Sequence, residues 1–170
     1  VLQQLPLCRA PGTAYAGGSA RGRPELSIIS GMTKEFDKYQ RSGAYHWQQT
    51  DSSPNNPRFN PPLLARYRVM AGAVPAAARM LLDAGCGDGY LLYCISRTRH
   101  SVQLHGIDAL EDAIRLARSQ LGSHQCNAFL QTASVCALPF HGALFDTVCM
   151  ADIIEHLPEP EQALEECRRV

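Results

Sequence analysis

Leu81-Leu82-Asp83-Ala84-Gly85-Cys86-Gly87-Asp88-Gly89-Tyr90-Leu91-Leu92 decides the fold of this chain. An apolar run ends in an acid, turns through three alternate glycines and enters a second apolar run. A strand must stop there, the backbone must double back, and a helix must begin with its amides facing a crevice. Glycine suits the turn because it accepts positive φ and lets a ligand come close to the main chain. The spacing is G-x-G-x-G. A dinucleotide fingerprint has its third small residue one position later, where this chain has Tyr90, so a nucleotide-linked oxidoreductase is disfavoured. No Gly-Lys-Ser/Thr follows, which disfavours a nucleoside triphosphate loop. The carboxylate of Asp83 at the strand end favours a ligand that carries positive charge.

Working outward, strands and helices alternate. Gln48 to Pro62 is rich in Pro, Asn and Ser and reads as a loop. Asn60 is placed to cap a helix with Pro61 and Pro62 in its first turn. Residues 63, 64, 67, 70, 71 and 74 then hold one apolar face. Strands are predicted at 80–83, 102–107, 127–133 and 145–150. Helices are predicted at 90–97, at 110–121 with Gly122 as terminator, and at 160–170 with Glu165 and Arg169 spaced for an ion pair. This alternation predicts the α/β class, a Rossmann-like parallel sheet with helices on both faces.

Four stretches together carry a resemblance: L-L-D-A-G-C-G-D-G-Y, H-G-I-D at 105–108, A-L-P-F at 137–140 and F-D-T-V-C-M-A-D-I-I-E-H-L at 145–157. In this order and spacing the chain resembles the N-terminal part of class I S-adenosylmethionine-dependent methyltransferases, from about Leu63 to Val170. The resemblance implies the strand order 3-2-1-4, truncated after the fourth strand, with three further strands following Val170 in the full protein. The piece alone is then expected to be inactive. Residues 1–31 are expected to be a disordered leader, with an organellar transit peptide or sequence upstream of a start at Met32 as alternatives. Residues 32–79 are expected to form an N-terminal lid or helical segment, opening with a polar helix from Met32 to Tyr39, and 80–170 an incomplete methyltransferase domain.

The resemblance also implies site residues for S-adenosylmethionine. Asp83 would hold the methionine ammonium with the Gly85 carbonyl beside it, and Gly87 and Gly89 would admit the methionine and ribose. Asp108, nineteen residues past Gly89, stands where a ribose-binding acid is expected about twenty residues on; an N-cap to the helix near Leu110 is its alternative role. Ser134 replaces the acid that relatives place against the adenine amino group, with the Val135 amide beside it. Ile107, Ala109 and Met150 complete the apolar surroundings. For Ala151-Asp152-Ile153-Ile154-Glu155-His156-Leu157 three readings stay open. His156 is a general base, or the stretch packs a loop, or Asp152, Glu155 and His156 bind Mg, Mn or Zn as in the E-x-x-E-H methyltransferases. Tyr45-His46-Trp47 would offer aromatic faces to a sulfonium, although a lone Trp is more often core. Arg66 and Arg68 would meet an anionic group or simply face solvent.

Composition limits the partners. Sixteen basic and sixteen acidic side chains cancel, so no electrostatic footprint for nucleic acid is visible and a small-molecule acceptor is favoured. No apolar run approaches the eighteen or so residues that span a bilayer. Seven cysteines, an odd number without a C-x-x-C pair, predict reduced thiols and a cytoplasmic protein, or an organellar one if the leader is a transit peptide. Two functions remain: an active methyltransferase, or a cofactor-binding but inactive partner subunit.

Overall fold

The computed structural model describes residues 38–170, all within one compact unit. The expected leader, and residues 32–37 of the expected opening helix, lie outside the described residues. Four parallel strands, β1 (Met80–Ala84), β2 (Gln103–Asp108), β3 (Phe129–Thr132) and β4 (Thr147–Cys149), form one sheet in the order β3-β2-β1-β4, as expected. β1 is central because its run is apolar on both faces, and Leu81, Leu82 and Ala84 are completely buried. Asp83 lies opposite Gly106 of β2 and Cys149 of β4, so the three strands end together at one rim.

Among the described residues six α-helices accompany the sheet: α1 (Lys38–Ser42), α2 (Tyr45–Thr50), α3 (Pro61–Ala73), α4 (Tyr90–Ser96), α5 (Glu111–Ser123) and α6 (Pro160–Arg169). One face of the sheet packs Leu81 and Leu104 against Leu63, Tyr67 and Ala71 of α3, Leu92 and Ile95 of α4, and Ile114 and Leu121 of α5. The other packs Leu82, Ala84 and Ile107 against Val135, Leu138, Ala163 and Val170. The two periodicities explain the division: alternate strand residues point to opposite faces, and each helix presents one stripe. Asn60 caps α3 through its side-chain oxygen, which accepts the Leu63 amide at 3.2 Å.

Two local expectations need correction. Gly122 sits inside α5 rather than ending it, and the left-handed residue beyond the helix is Gln125, at φ 54°. The Cys126 amide, reaching back to the Leu121 carbonyl at 2.9 Å, closes the helix instead. Arg169 pairs with Glu166 at 2.6 Å, not with Glu165. The closer register wins because both groups also hold the 137–140 loop: Glu166 accepts the Leu138 amide, and Arg169 donates to the Leu138 and Phe140 carbonyls.

Gly106 has no room for a side chain, since a Cβ there would stand 2.8–2.9 Å from Leu92, Cys86 and Leu130. Gly106→Ala should therefore lower the urea midpoint of unfolding, with an overpacking cost of about 1–3 kcal/mol. An unchanged midpoint would show that this sheet–helix contact is looser than the packing indicates.

Candidate functional site

The rim where β1 and β2 end is shaped by the glycine turn. Gly85, Gly87 and Gly89 have φ of 90°, 55° and 81°, a region costly for other residues. The Gly85 and Cys86 amides both donate to the Ile107 carbonyl at 2.8 Å, tying the turn to β2. Asp108 completes the tie. One carboxylate oxygen accepts the Gly87 amide and the other the Leu110 amide, each at 2.9 Å. Asp108 thus holds a turn ahead of α5, whose N-cap position is Leu110, while each oxygen keeps a lone pair for another donor.

The three glycines have different neighbours. The place of a Cβ on Gly85 is taken by the Ile153 side chain, and that on Gly87 by the Tyr39 hydroxyl. At Gly89 the space is filled by Ala117 and Leu121 of α5 at 3.1–3.2 Å. The missing side chain at Gly89 therefore allows close packing on α5. A cleft of about 50 Å³ lies beside the loop, lined in part by Asp83, Gly85, Gly87, Asp108, Tyr39 and Ile153. That is small beside pockets for drug-sized ligands, which occupy roughly 300–1,000 Å³.

Carboxylates dominate this cleft. Asp83 is 1% exposed, and neither of its oxygens has a hydrogen-bond partner. Burial, and then the charge of Asp108, push its pKa up to about 7. Burial also raises Asp108, opposed by the Leu110 and Gly87 amides and by Lys38. Tyr39 and Tyr67, which line the same cleft, are held far above the ordinary phenol range by burial and then by Asp88. This donor set, acid-rich with an unpartnered carboxylate at its base, matches a cationic ligand.

Ala109, Ser134, Val135 and Met150 lie around the cleft rather than on its wall. Ala109 and Ser134 are exposed, and the Ser134 hydroxyl accepts the Cys136 amide at 3.2 Å. Val135 is buried on the opposite sheet face, where Met150 also packs, its sulfur 3.3 Å from Cys167. Asp152, at φ 51°, lines the cleft and pairs with Arg66 at 3.0 Å, where both side chains stay largely exposed. Glu155 and His156 are exposed on a 3-10 turn (Ile154–His156) and border a neighbouring depression of about 300 Å³. Among the described residues no group of three His, Cys, Asp or Glu is arranged to hold a metal.

Asp88 escaped the sequence reading of the loop. It is completely buried and accepts the His46 amide at 2.8 Å and His46 Nδ1 at 2.9 Å, while its carbonyl accepts Trp47 Nε1 at 2.8 Å. Trp47 packs on Tyr90, Tyr93 and His124 and does not line the cleft; the aromatic lining comes from Tyr39, His46 and Tyr67. The signal available was an acid between two turn glycines, a place where a carboxylate can only face inward or meet a helix start.

A central strand, a glycine turn and acids at the ends of two adjacent strands define a Rossmann-like ligand site of the methyltransferase type. A family model described as "Methyltransferase domain" matches residues 81–170, more than half of the chain, and the chain belongs to that family, the class I S-adenosylmethionine-dependent methyltransferases. A ubiquinone biosynthesis O-methyltransferase of Coxiella burnetii is 24% identical over 102 residues, 60% of this chain and 43% of that protein. One of Thiobacillus denitrificans is 27% identical over 139 residues, 80% of this chain and 57% of that protein. The chain thus spans about half the length of these relatives. The crystal structure of a Pyrococcus horikoshii OT3 protein shares the fold, with a TM-score of 0.63 at 24% identity over 79% of this chain and 60% of that one. No helix among the described residues is long and apolar enough to cross a membrane.

Asp83 gives the ligand-free protein a measurable property. Its folded pKa lies near 7, above the ordinary carboxylate value near 4. Between these values the folded state holds a proton that the unfolded state has lost, so this group's contribution to stability falls as pH rises from about 4 to 7. Asp83→Asn should flatten the chemical-denaturation stability profile across that window and make the protein more stable than wild type at pH 8. Parallel profiles for the two proteins would contradict the buried, unpartnered carboxylate.

Proposed function

We propose that the full protein transfers a methyl group from S-adenosylmethionine to a hydroxyl of a small molecule, of the phenolic kind. The observation that carries this reading is the buried Asp83 carboxylate, which lacks a partner beside a glycine turn. An ammonium supplies the missing charge and hydrogen-bond donors at once. Gly85 and Gly87 would let the methionine portion approach the main chain, and the unused lone pairs of Asp108 suit two adjacent ribose hydroxyls. Ala109, Ser134, Val135 and Met150 are assigned to the adenine side, as the family resemblance implies.

The oxygen acceptor is supported by the names of the relatives, which are O-methyltransferases of ubiquinone biosynthesis. A phenolic oxygen suits the chemistry. The donor is already activated, so the protein has to align three atoms and remove one proton. A phenol, with a pKa near 10, yields that proton to a neutral side-chain base such as imidazole, whose conjugate acid lies near 6.5.

Calorimetry on the full-length protein tests the reading. Affinity for S-adenosylmethionine should strengthen as pH rises from about 5.5 to 7.5, with a proton released from Asp83 on binding. It should weaken above about pH 8, where an α-amino group loses its charge. Asp83→Asn should abolish the proton release, and Asp108→Asn should reduce affinity by about 1.5–3 kcal/mol through its ribose hydrogen bonds. Binding that is insensitive to both substitutions would remove the site from the rim of β1 and β2.

A further inference from the structure

The glycine-loop cleft and the neighbouring depression share three residues, Lys38, His46 and Asp152. Two of them are engaged by neighbours at this border. Lys38 sits over the Tyr39 and Tyr45 rings, 5.1 and 5.6 Å from their centroids, as an ammonium does. Asp152 is ion-paired with Arg66. His46 is built differently. Its Nδ1 and its own amide both meet the carboxylate of Asp88, a side chain with no exposure at all, while 14% of the imidazole is exposed. With Nδ1–H donated to Asp88, the neutral ring carries its lone pair on Nε2. Tyr39, Tyr45 and Tyr67 meet the ring edge-on at 5.2–6.1 Å and fix its plane. The Cε1 edge lies 3.5 Å from the place of a Cβ on Gly87.

We propose that His46 is the general base for the acceptor hydroxyl and that Asp88 is its positioning residue. This rests on the methyl-transfer reading above, and it moves the base from His156 on its exposed turn to a ring gripped by a buried acid. The step balances without any further reagent. The hydroxyl proton passes to His46 Nε2 as the oxygen bonds the methyl carbon. The carbon–sulfur bond breaks with its electron pair left on sulfur. The imidazolium formed is neutralised in place by the Asp88 carboxylate, and its proton leaves to solvent when the products depart. Asp88 also keeps Nδ1 protonated, so Nε2 remains the accepting nitrogen throughout.

The experiment uses the full-length protein, S-adenosylmethionine and catechol as the probe acceptor, beside a measurement that needs no turnover. Nitrogen-15 spectra of the histidine rings should assign His46 to the Nδ1–H tautomer in wild type and lose that signature in Asp88→Asn. His46→Ala should lower kcat for catechol methylation by about a hundredfold or more, with the affinity for S-adenosylmethionine within about twofold of wild type. Added imidazole should restore part of the rate to His46→Ala, which a merely structural pin would not allow. His46→Gln serves as a second variant if the alanine form loses its fold, and it should show the same kcat loss. Wild-type kcat in His46→Gln, an Nε2–H tautomer in wild type, or no imidazole rescue of a folded His46→Ala would each overturn the role of His46 and leave the methyltransferase reading standing. A wild-type protein that binds S-adenosylmethionine but leaves catechol untouched would overturn the phenolic acceptor and the base role built on it. Failure to bind S-adenosylmethionine would remove the reading on which both depend.

Discussion

A carboxylate buried without a partner is among the most expensive things a protein interior can contain, and Asp83 is one. Its backbone is fixed by the central strand, so the side chain cannot retreat to solvent. The neighbouring acids show how differently the same group can be treated within one loop. Asp88 is satisfied by an imidazole and an amide. Asp108 is half satisfied by two amides and retains lone pairs. Asp83 has nothing, and burial answers by pushing its pKa up to about 7. The degree of hydrogen bonding therefore separates the three acids. Asp88 holds a side chain, Asp108 shapes the turn while still able to accept, and Asp83 is left without a partner.

The sheet was legible because its signals are local and redundant. An apolar run bounded by Asp83 and Gly85 admits little besides a strand end, and the alternation of periods two and 3.6 repeats down the chain. Strand order followed from resemblance together with the right-handedness of crossovers. Side-chain partners were less legible. Glu165 and Glu166 both lie within reach of Arg169 in sequence, and the selection of Glu166 depends on the Leu138 amide, which comes from a distant loop. Gly89 looks like its two neighbours in the motif, yet the filling of its side by Ala117 and Leu121 depends on how α5 lies. Tyr67 belongs to the apolar stripe of α3 and reads as core, although its ring also meets the cleft. A pattern tells which residue is small or apolar; it does not tell what fills the space opposite.

The N-terminal helices divide the same way. α2 is joined to the glycine loop by three hydrogen bonds that converge on Asp88: two from His46 to the carboxylate and one from Trp47 to the carbonyl. Its Trp47 is further wedged among Tyr90, Tyr93 and His124. α1 approaches the loop through Tyr39, whose hydroxyl stands over Gly87, and it is separated from α2 by Gly43 at φ 62°. The Tyr39 hydroxyl fills the place of a Cβ on Gly87, while the hydrogen bonds of Asp88 to His46 involve α2 and the loop. The phenol is also a group that tolerates displacement: burial and the adjacent carboxylates hold it neutral, so no charge is uncovered when it leaves. The hydrogen bonds that orient the imidazole thus join α2 to the glycine loop, while α1 adds the edge-on ring contact of Tyr39.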